Sequence, residues 1–231
     1  VIVPEPFYTN YNGFAVEAGI SIVPITSRIE DSFQLPPIER IAEKIGPKTR
    51  AIMICNPNNP TGYVYSEEEL EALRQIVLEH DLFLLSDEVY REFIYDGETH
   101  KSIMNLEGIQ DRTIMLDSVS KRYSACGARI GMIVSRNKEV INAGLKFGMA
   151  RLCPPTIEQI GVESAVDTPK EYFDEIIEEY RERRDTMVSA LQAMPGVTAP
   201  NPKGAFYLVV RLPVDDANSF AQWLLTDFDI D

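Results

Sequence analysis

The stretch from Arg50 to Tyr90, RAIMICNPNNPTGYVYSEEELEALRQIVLEHDLFLLSDEVY, decides the fold class. Two short apolar runs, AIMIC and LFLL, flank a longer segment whose apolar residues recur at helical spacing. Ser66 and Glu69 have the spacing of a capping box at the start of that helix. Its apolar face comprises Leu70, Leu73, Ile76 and Val77. A strand, an amphipathic helix and a second strand in this order indicate a parallel α/β sheet.

The same alternation of strands and helices continues along the chain. We predict strands at Ser21–Ile25, Arg50–Cys55, Leu82–Ser86, Thr113–Asp117, Arg129–Ser135 and Phe206–Leu212. The opening VIV has the pattern of a further short strand. The expected fold class is therefore α/β, with a mainly parallel sheet and flanking helices.

The last third of the chain has a different organisation. A long helix is predicted from Pro169 to about Ala193, with Thr168 as its N-cap and Glu171 completing a capping box. The turn-rich PGVTAPNPK then precedes the predicted strand Phe206–Leu212 and the helix-like DANSFAQWLL. We therefore divide the chain into residues 1–168, part of a large domain, and residues 169–231, a connecting helix and the start of a small α+β domain. Neither end has a closing element, so we expect a fragment of a longer protein.

Composition narrows the classes of function. The 231 residues carry a formal net charge of −14, which argues against binding to nucleic acid or to an anionic membrane surface. Cys55, Cys126 and Cys153 are odd in number and form no CxxC pair, so neither a disulfide framework nor a zinc site is expected. No apolar segment approaches the length of a membrane span. We expect a cytoplasmic protein.

Three of the predicted strands run directly into polar loops. These loops are NPNNPTG (56–62), SDEVY (86–90) and DSVSK (117–121). Ligands of open α/β sheets bind beyond the carboxyl ends of the strands, so we expect the three loops to meet at one site. Each loop also has a plainer interpretation: NPNNPTG as a tight turn, Asp87 as a helix cap and Lys121 as a surface lysine.

Several catalytic constellations are not indicated. His80 and His100 lack ligand spacing, so neither a histidine metal site nor a Ser-His-Asp triad is expected. The sequence contains no GxxxxGK[ST] loop, and GARIG is not a dinucleotide fingerprint. An amine, a carboxylate, an arginine, hydroxyls and an asparagine remain. Pyridoxal phosphate needs that set: a lysine for its aldehyde, an acid for its ring nitrogen, donors for its phenolic oxygen and a cationic, hydroxyl-rich cup for its phosphate.

The motifs also support a family assignment. NPNNPTG, SDEVYREFIYDG, SVSKRYSACGARIGMIV and NPKGAFY occur in the order and spacing typical of the class I/II aminotransferases of fold type I. The chain resembles these enzymes over essentially its whole length, and it is most similar to bacterial proteins of the aspartate aminotransferase type. The resemblance implies transamination between an L-amino acid, with an aspartate-type donor favoured, and a 2-oxo acid. It also implies pyridoxal phosphate in the large domain (residues 1–168) and a homodimer.

The resemblance implies roles for eight residues. Lys121 would bind the cofactor covalently and carry the proton, and Asp87 would pair with the ring nitrogen. Asn59 and Tyr90 would bond to the phenolic oxygen, and a cis bond is expected between Asn59 and Pro60. The phosphate cup would comprise Ser118, Ser120 and Arg129. Tyr8 would stack on the cofactor ring or border the substrate pocket, with a core tyrosine as the alternative.

Other functions remain open at this point. A β-elimination lyase of the same fold would need the same Lys121 and Asp87, and some transcription regulators carry an aminotransferase-like effector domain. The family's small-residue phosphate loop, its intersubunit tyrosine and its carboxylate-binding arginine have no counterpart in these residues. We therefore expect this chain on its own not to transaminate.

Overall fold

The structure, a computed structural model, describes residues 1–230. Its strands are β1 (Ile2–Glu5), β2 (Val23–Thr26), β3 (Ala51–Cys55), β4 (Phe83–Asp87), β5 (Thr113–Ser118) and β6 (Gly131–Val134). Its α-helices are α1 (Asn10–Glu17), α2 (Ile38–Ala42), α3 (Glu67–Glu79), α4 (Val119–Arg122), α5 (Lys138–Arg151), α6 (Thr156–Ala165), α7 (Lys170–Gln192) and α8 (Ala217–Phe228).

The six strands form one sheet in the order β2-β1-β3-β4-β5-β6. Strands β1 to β5 pair in parallel, and β6 runs antiparallel to β5. The predicted α/β class is therefore confirmed. Because β3, β4 and β5 are neighbours, Cys55 pairs with Asp87 and Asp87 with Leu116 at their carboxyl ends. The loops that follow these strands leave the sheet side by side.

The main core lies between the sheet and helix α3. Ile52 and Leu84 from the sheet and Leu70 and Leu73 from the helix are fully buried in one cluster. The helix begins with the predicted capping box: the Ser66 hydroxyl accepts from the Glu69 N–H at 3.2 Å, and the Ser66 N–H donates to Glu69 Oε2 at 2.8 Å. This crossover connects β3 to β4, which pair side by side in parallel and form the base of the site.

Two local predictions for the last third of the chain are wrong. Phe206–Leu212 is not a strand; this part of the chain pairs only through the single bridges Ile94–Gly204 and Thr198–Arg211. A β-branched run favours extended backbone, but a strand also needs a partner along its length. Thr168 does not cap α7, because its hydroxyl donates to the Ala165 carbonyl at 2.7 Å at the end of α6.

Helices α7 and α8 confirm the predicted helical segments, whereas the division of the chain into two domains stays a prediction. Helix α7 packs against a second buried cluster, which contains Tyr90 and Phe93, through Ile176, Ile177 and Tyr180.

No helix within residues 1–230 is both long enough and apolar enough to cross a membrane.

The NPNNPTG loop touches the distant NPKGAFY segment through glycine backbone. The Gly62 carbonyl accepts from the N–H groups of Lys203, at 3.0 Å, and Gly204, at 2.9 Å. A Cβ on Gly62 would overlap Pro202 Cβ and lie 2.8 Å from the Gly204 carbonyl oxygen, and the φ of Gly62 is +68°. This approach is possible only without a side chain, so Gly62 fixes where the segment after residue 201 docks.

We expect Gly62→Ala to lower the free energy of unfolding by about 3 kcal/mol, from backbone strain plus overlap with Pro202. Gly97→Ala is the matched control, because Gly97 also has a positive φ, +75°, but open space where its Cβ would lie. The control should lose only about 1 kcal/mol. Urea unfolding of both variants measures the difference; equal losses would contradict a role for the close contact.

Candidate active site

All eight residues predicted for the site line one cavity of about 540 Å³ at the carboxyl ends of β4 and β5. These residues are Tyr8, Asn59, Asp87, Tyr90, Ser118, Ser120, Lys121 and Arg129. The expected convergence of the three polar loops is therefore confirmed. Their individual roles toward a cofactor stay predictions.

Lys121 is placed by the junction of β5 and the short helix α4. Ser118, the last residue of β5, caps α4 by accepting the Ser120 N–H at 3.2 Å. One turn of helix then directs the lysine into the cavity, where its Nζ lies 3.8 Å from Cys126 Sγ and 5.9 Å from the centre of the Phe206 ring. The residue is half-buried and lines the cavity, and its role there stays a prediction.

A buried carboxylate paired with two arginines lies next to this junction. The Asp117 side chain is 2% exposed and contacts Arg91 Nη2 at 2.9 Å and Arg122 Nη2 at 3.4 Å. A buried carboxylate is tolerated where cations pair with it. The two arginines tie the loop after β4 to the residue next to Lys121. Arg91 was not predicted as a site residue, because nothing in its sequence position distinguishes it from a surface arginine.

Asp87 ends β4 and is held by two donors. Its Oδ2 accepts the Tyr11 hydroxyl at 2.8 Å, and its Oδ1 accepts the Val89 N–H at 3.3 Å. Burial raises the pKa of the Asp87 carboxyl, and the bond from Tyr11 opposes that rise. Burial also raises the pKa of Tyr11 well above its ordinary value, so its hydroxyl remains a donor. Tyr11 was not predicted as a site residue, although Tyr11 lies one helical turn after Tyr8.

Tyr90 and Asn59 meet on another wall of the cavity. Asn59 Nδ2 donates to the Tyr90 hydroxyl at 3.3 Å, and the predicted cis bond between Asn59 and Pro60 is present. Burial raises the pKa of Tyr90, so the hydroxyl keeps its proton. A second tyrosine, Tyr207, also lines the cavity, with its hydroxyl 2.7 Å from that of Tyr90. Tyr207 lies in the family motif NPKGAFY, but no role was predicted for it.

The remaining polar wall is suited to an anion. Ser118, Ser120 and Arg129 line it, giving two hydroxyls and one guanidinium. Arg129 has a left-handed backbone, with φ of 54°, and its Nη1 donates to the Cys126 carbonyl at 2.8 Å. A non-glycine residue in this conformation is uncommon. The bond to Cys126 holds the guanidinium beside the loop while its other N–H groups stay available.

Tyr8 is the eighth predicted residue that lines the cavity. It is half-buried, its hydroxyl accepts from Asn10 Nδ2 at 2.7 Å, and its ring stands edge-on to Tyr11 with 5.5 Å between centres. The alternative interpretation as a core tyrosine is therefore wrong.

Within the described residues, His, Cys, Asp and Glu form no group of three suited to a metal ion.

The chain is similar in sequence to several known proteins. The sequence model of the family "Aminotransferase class I and II" matches residues 1–230. An aspartate aminotransferase from Bacillus subtilis is 36% identical over 210 residues, which are 90% of this chain and 53% of that protein. An arginine–pyruvate transaminase from Pseudomonas aeruginosa is 34% identical and is matched over 97% of this chain and 57% of its own length.

Solved structures are similar over the same range. An aromatic aminotransferase from Pyrococcus horikoshii superposes with a TM-score of 0.91 at 33% identity, covering 97% of this chain and 61% of the other. The chain thus spans little more than half the length of the curated relatives it matches. The match to the family model and the similarity to this solved structure both cover nearly every described residue. The chain belongs to the class I and II aminotransferase family.

Proposed function

We propose that the complete protein carrying this chain transfers an amino group between an L-amino acid and a 2-oxo acid, with pyridoxal phosphate held in the cavity. The observation that carries the proposal is the placement of Lys121, Asp87 and the Asn59–Tyr90 pair around one space. The activity is proposed for the complete protein because this chain covers only part of its relatives' length.

The donor set of the cavity fits each polar group of that cofactor. Lys121 supplies the amine for its aldehyde, and Asp87 supplies a carboxylate for its ring nitrogen. Tyr90 and Asn59 supply polar groups for its phenolic oxygen. Arg129, with the hydroxyls of Ser118 and Ser120, supplies the cationic cup for its phosphate, and an arginine can make a bidentate contact there. When bound, pyridoxal phosphate supplies an electron sink for the negative charge that develops at the α-carbon of the amino acid.

Residues of this chain would move the proton and hold the cofactor in place. Lys121 Nζ would accept the α-proton of the amino acid and pass it on to the cofactor, so that the amino group can leave with the cofactor. Asp87 would offer its carboxylate to the ring nitrogen and favour the protonated form of that nitrogen, and Tyr11 fixes the direction of the carboxylate. The Phe206 ring lies on one side of the amine, with its centre 5.9 Å from Nζ.

The substrate and the setting belong to the same proposal. We favour an aspartate-type donor, because several relatives are named aspartate aminotransferases, although others are named for aromatic amino acids or arginine. We further propose a homodimer in the cytoplasm. Cys55, Cys126 and Cys153 are free thiols, which is consistent with a reducing compartment.

The test uses the complete gene product with added pyridoxal phosphate, 2-oxoglutarate as acceptor, and aspartate, phenylalanine and arginine as donors. We expect glutamate and the 2-oxo acid of the donor to form in equal amounts, fastest from aspartate. Cysteine is also tested, without an acceptor: release of ammonia and pyruvate from it, with no amino transfer from the three donors, would identify a β-elimination lyase and overturn the proposal. Light scattering of the same sample measures whether it is a dimer.

A further inference from the structure

Tyr207 reaches the cavity from a segment 117 residues beyond Tyr90. Its ring stands edge-on to that of Tyr90, with 5.5 Å between centres. The backbone before it is held firmly, because the Ala205 N–H donates to the Phe93 carbonyl at 2.9 Å and the Tyr95 hydroxyl donates to the Ala205 carbonyl at 2.6 Å. The backbone that carries Tyr207 is therefore held in place by the main-chain contacts of Ala205, two residues earlier.

A count of protons and lone pairs shows what this hydroxyl can do. The oxygen of Tyr90 has two lone pairs and one proton, and Asn59 Nδ2 occupies one lone pair. The contact with Tyr207 uses either the second lone pair or the proton of Tyr90. An acceptor in the cavity decides which of the two hydroxyls is the donor in this contact. Tyr90 has one proton, so it can donate to that acceptor only if Tyr207 donates to Tyr90.

We propose that Tyr207 is a positioning residue that acts through Tyr90. Its hydroxyl donates to the Tyr90 oxygen and leaves the Tyr90 proton free for the phenolic oxygen of pyridoxal phosphate. This inference rests on the proposed function, since that oxygen is the acceptor. Hydrogen bonds in a chain strengthen one another, so a Tyr90 that receives two bonds is a stronger donor.

The consequence is a shift in the titration of the bound cofactor. A stronger bond from Tyr90 withdraws charge from the phenolic oxygen of the cofactor, so this oxygen holds the proton of the neighbouring Lys121 nitrogen less tightly. Removing the Tyr207 hydroxyl weakens the bond from Tyr90, and the Lys121 nitrogen then keeps its proton to a higher pH. The pH midpoint of the visible absorption therefore rises.

The experiment compares Tyr207→Phe, Tyr90→Phe and the double variant in the complete gene product with bound pyridoxal phosphate. We expect Tyr207→Phe to raise the pH midpoint of the visible band by about 0.3 to 0.5 unit and to weaken cofactor binding about two- to threefold. The same substitution should have no further effect in the Tyr90→Phe background. Tyr63→Phe is the matched control, because its hydroxyl bonds Glu69 outside the cavity and its loss should leave the midpoint unchanged.

The outcomes separate the two proposals. A wild-type protein whose visible band disappears in Lys121→Ala supports the cofactor site, whatever Tyr207 does. An unmoved midpoint in Tyr207→Phe, or an equal shift in the presence and absence of the Tyr90 hydroxyl, then overturns the positioning role alone. A wild-type protein that binds no pyridoxal phosphate overturns both. Far-ultraviolet circular dichroism of each variant checks that the fold is intact.

Discussion

Replacing Lys121 with alanine is expected to lower amino transfer by about four orders of magnitude or more, because one amine both joins the cofactor and moves the substrate proton. The visible band that depends on the covalent link should vanish in the same variant. The measurements are steady-state amino transfer and the absorption spectrum of the complete gene product with added pyridoxal phosphate.

Two further variants isolate the reason for the loss. Lys121→Arg keeps a positive charge in the cavity but not a nucleophilic amine, since arginine does not deprotonate in proteins. It should be as inactive as Lys121→Ala. Lys101→Ala removes a lysine that pairs with Glu67 at 3.2 Å outside the cavity, and it should retain full activity. Substantial activity in Lys121→Arg would mean that the residue serves only as a counter-charge for phosphate.

Replacing Asp87 with asparagine should produce the second largest loss, about 10³-fold in amino transfer, with some cofactor binding retained. The substitution keeps the size of the side chain but removes the charge that holds a proton on the ring nitrogen. Tyr11→Phe provides a graded comparison, because it keeps the carboxylate and removes only the 2.8 Å bond to it. A hydrogen bond to a charged group contributes about 1.5 to 3 kcal/mol, so Tyr11→Phe should lose about 10- to 100-fold.

The control for this series is Asp174→Asn. Asp174 is exposed on α7 and forms an ion pair with Lys170, four residues earlier, so its charge should not affect turnover. The rates of all four proteins are measured at saturating donor and acceptor. Wild-type turnover in Asp87→Asn, or a greater loss in Tyr11→Phe than in Asp87→Asn, would contradict the assignment of the carboxylate as the essential group.

The base of the site could be predicted from the sequence because its determinants are local. Ser66 and Glu69 mark the start of α3 within one turn, and the apolar runs before Asn56, Ser86 and Asp117 mark three adjacent strands. Parallel pairing then brings their carboxyl ends together with no further information. Lys121 and Asp87 follow directly from that geometry.

The contacts that complete the site could not be predicted in the same way, because they join residues far apart in the chain. Tyr11 meets Asp87 across 76 residues, and Tyr207 meets Tyr90 across 117. The Phe206–Leu212 run has the composition of a strand, yet its conformation depends on which partner it finds. Periodicity describes which face of an element is apolar, and it contains no information about such pairings.

The contact between Gly62 and the segment after residue 201 also has a consequence for folding kinetics. Contacts of such high sequence separation form only after a large loop has been closed, which slows folding. During synthesis, β1 to β5 can pair before Tyr207 leaves the ribosome, so we expect the cavity to be completed late. A cofactor that binds only the completed cavity would stabilise the native state by mass action. Cofactor uptake would then serve as a time-resolved signal for the last step of folding.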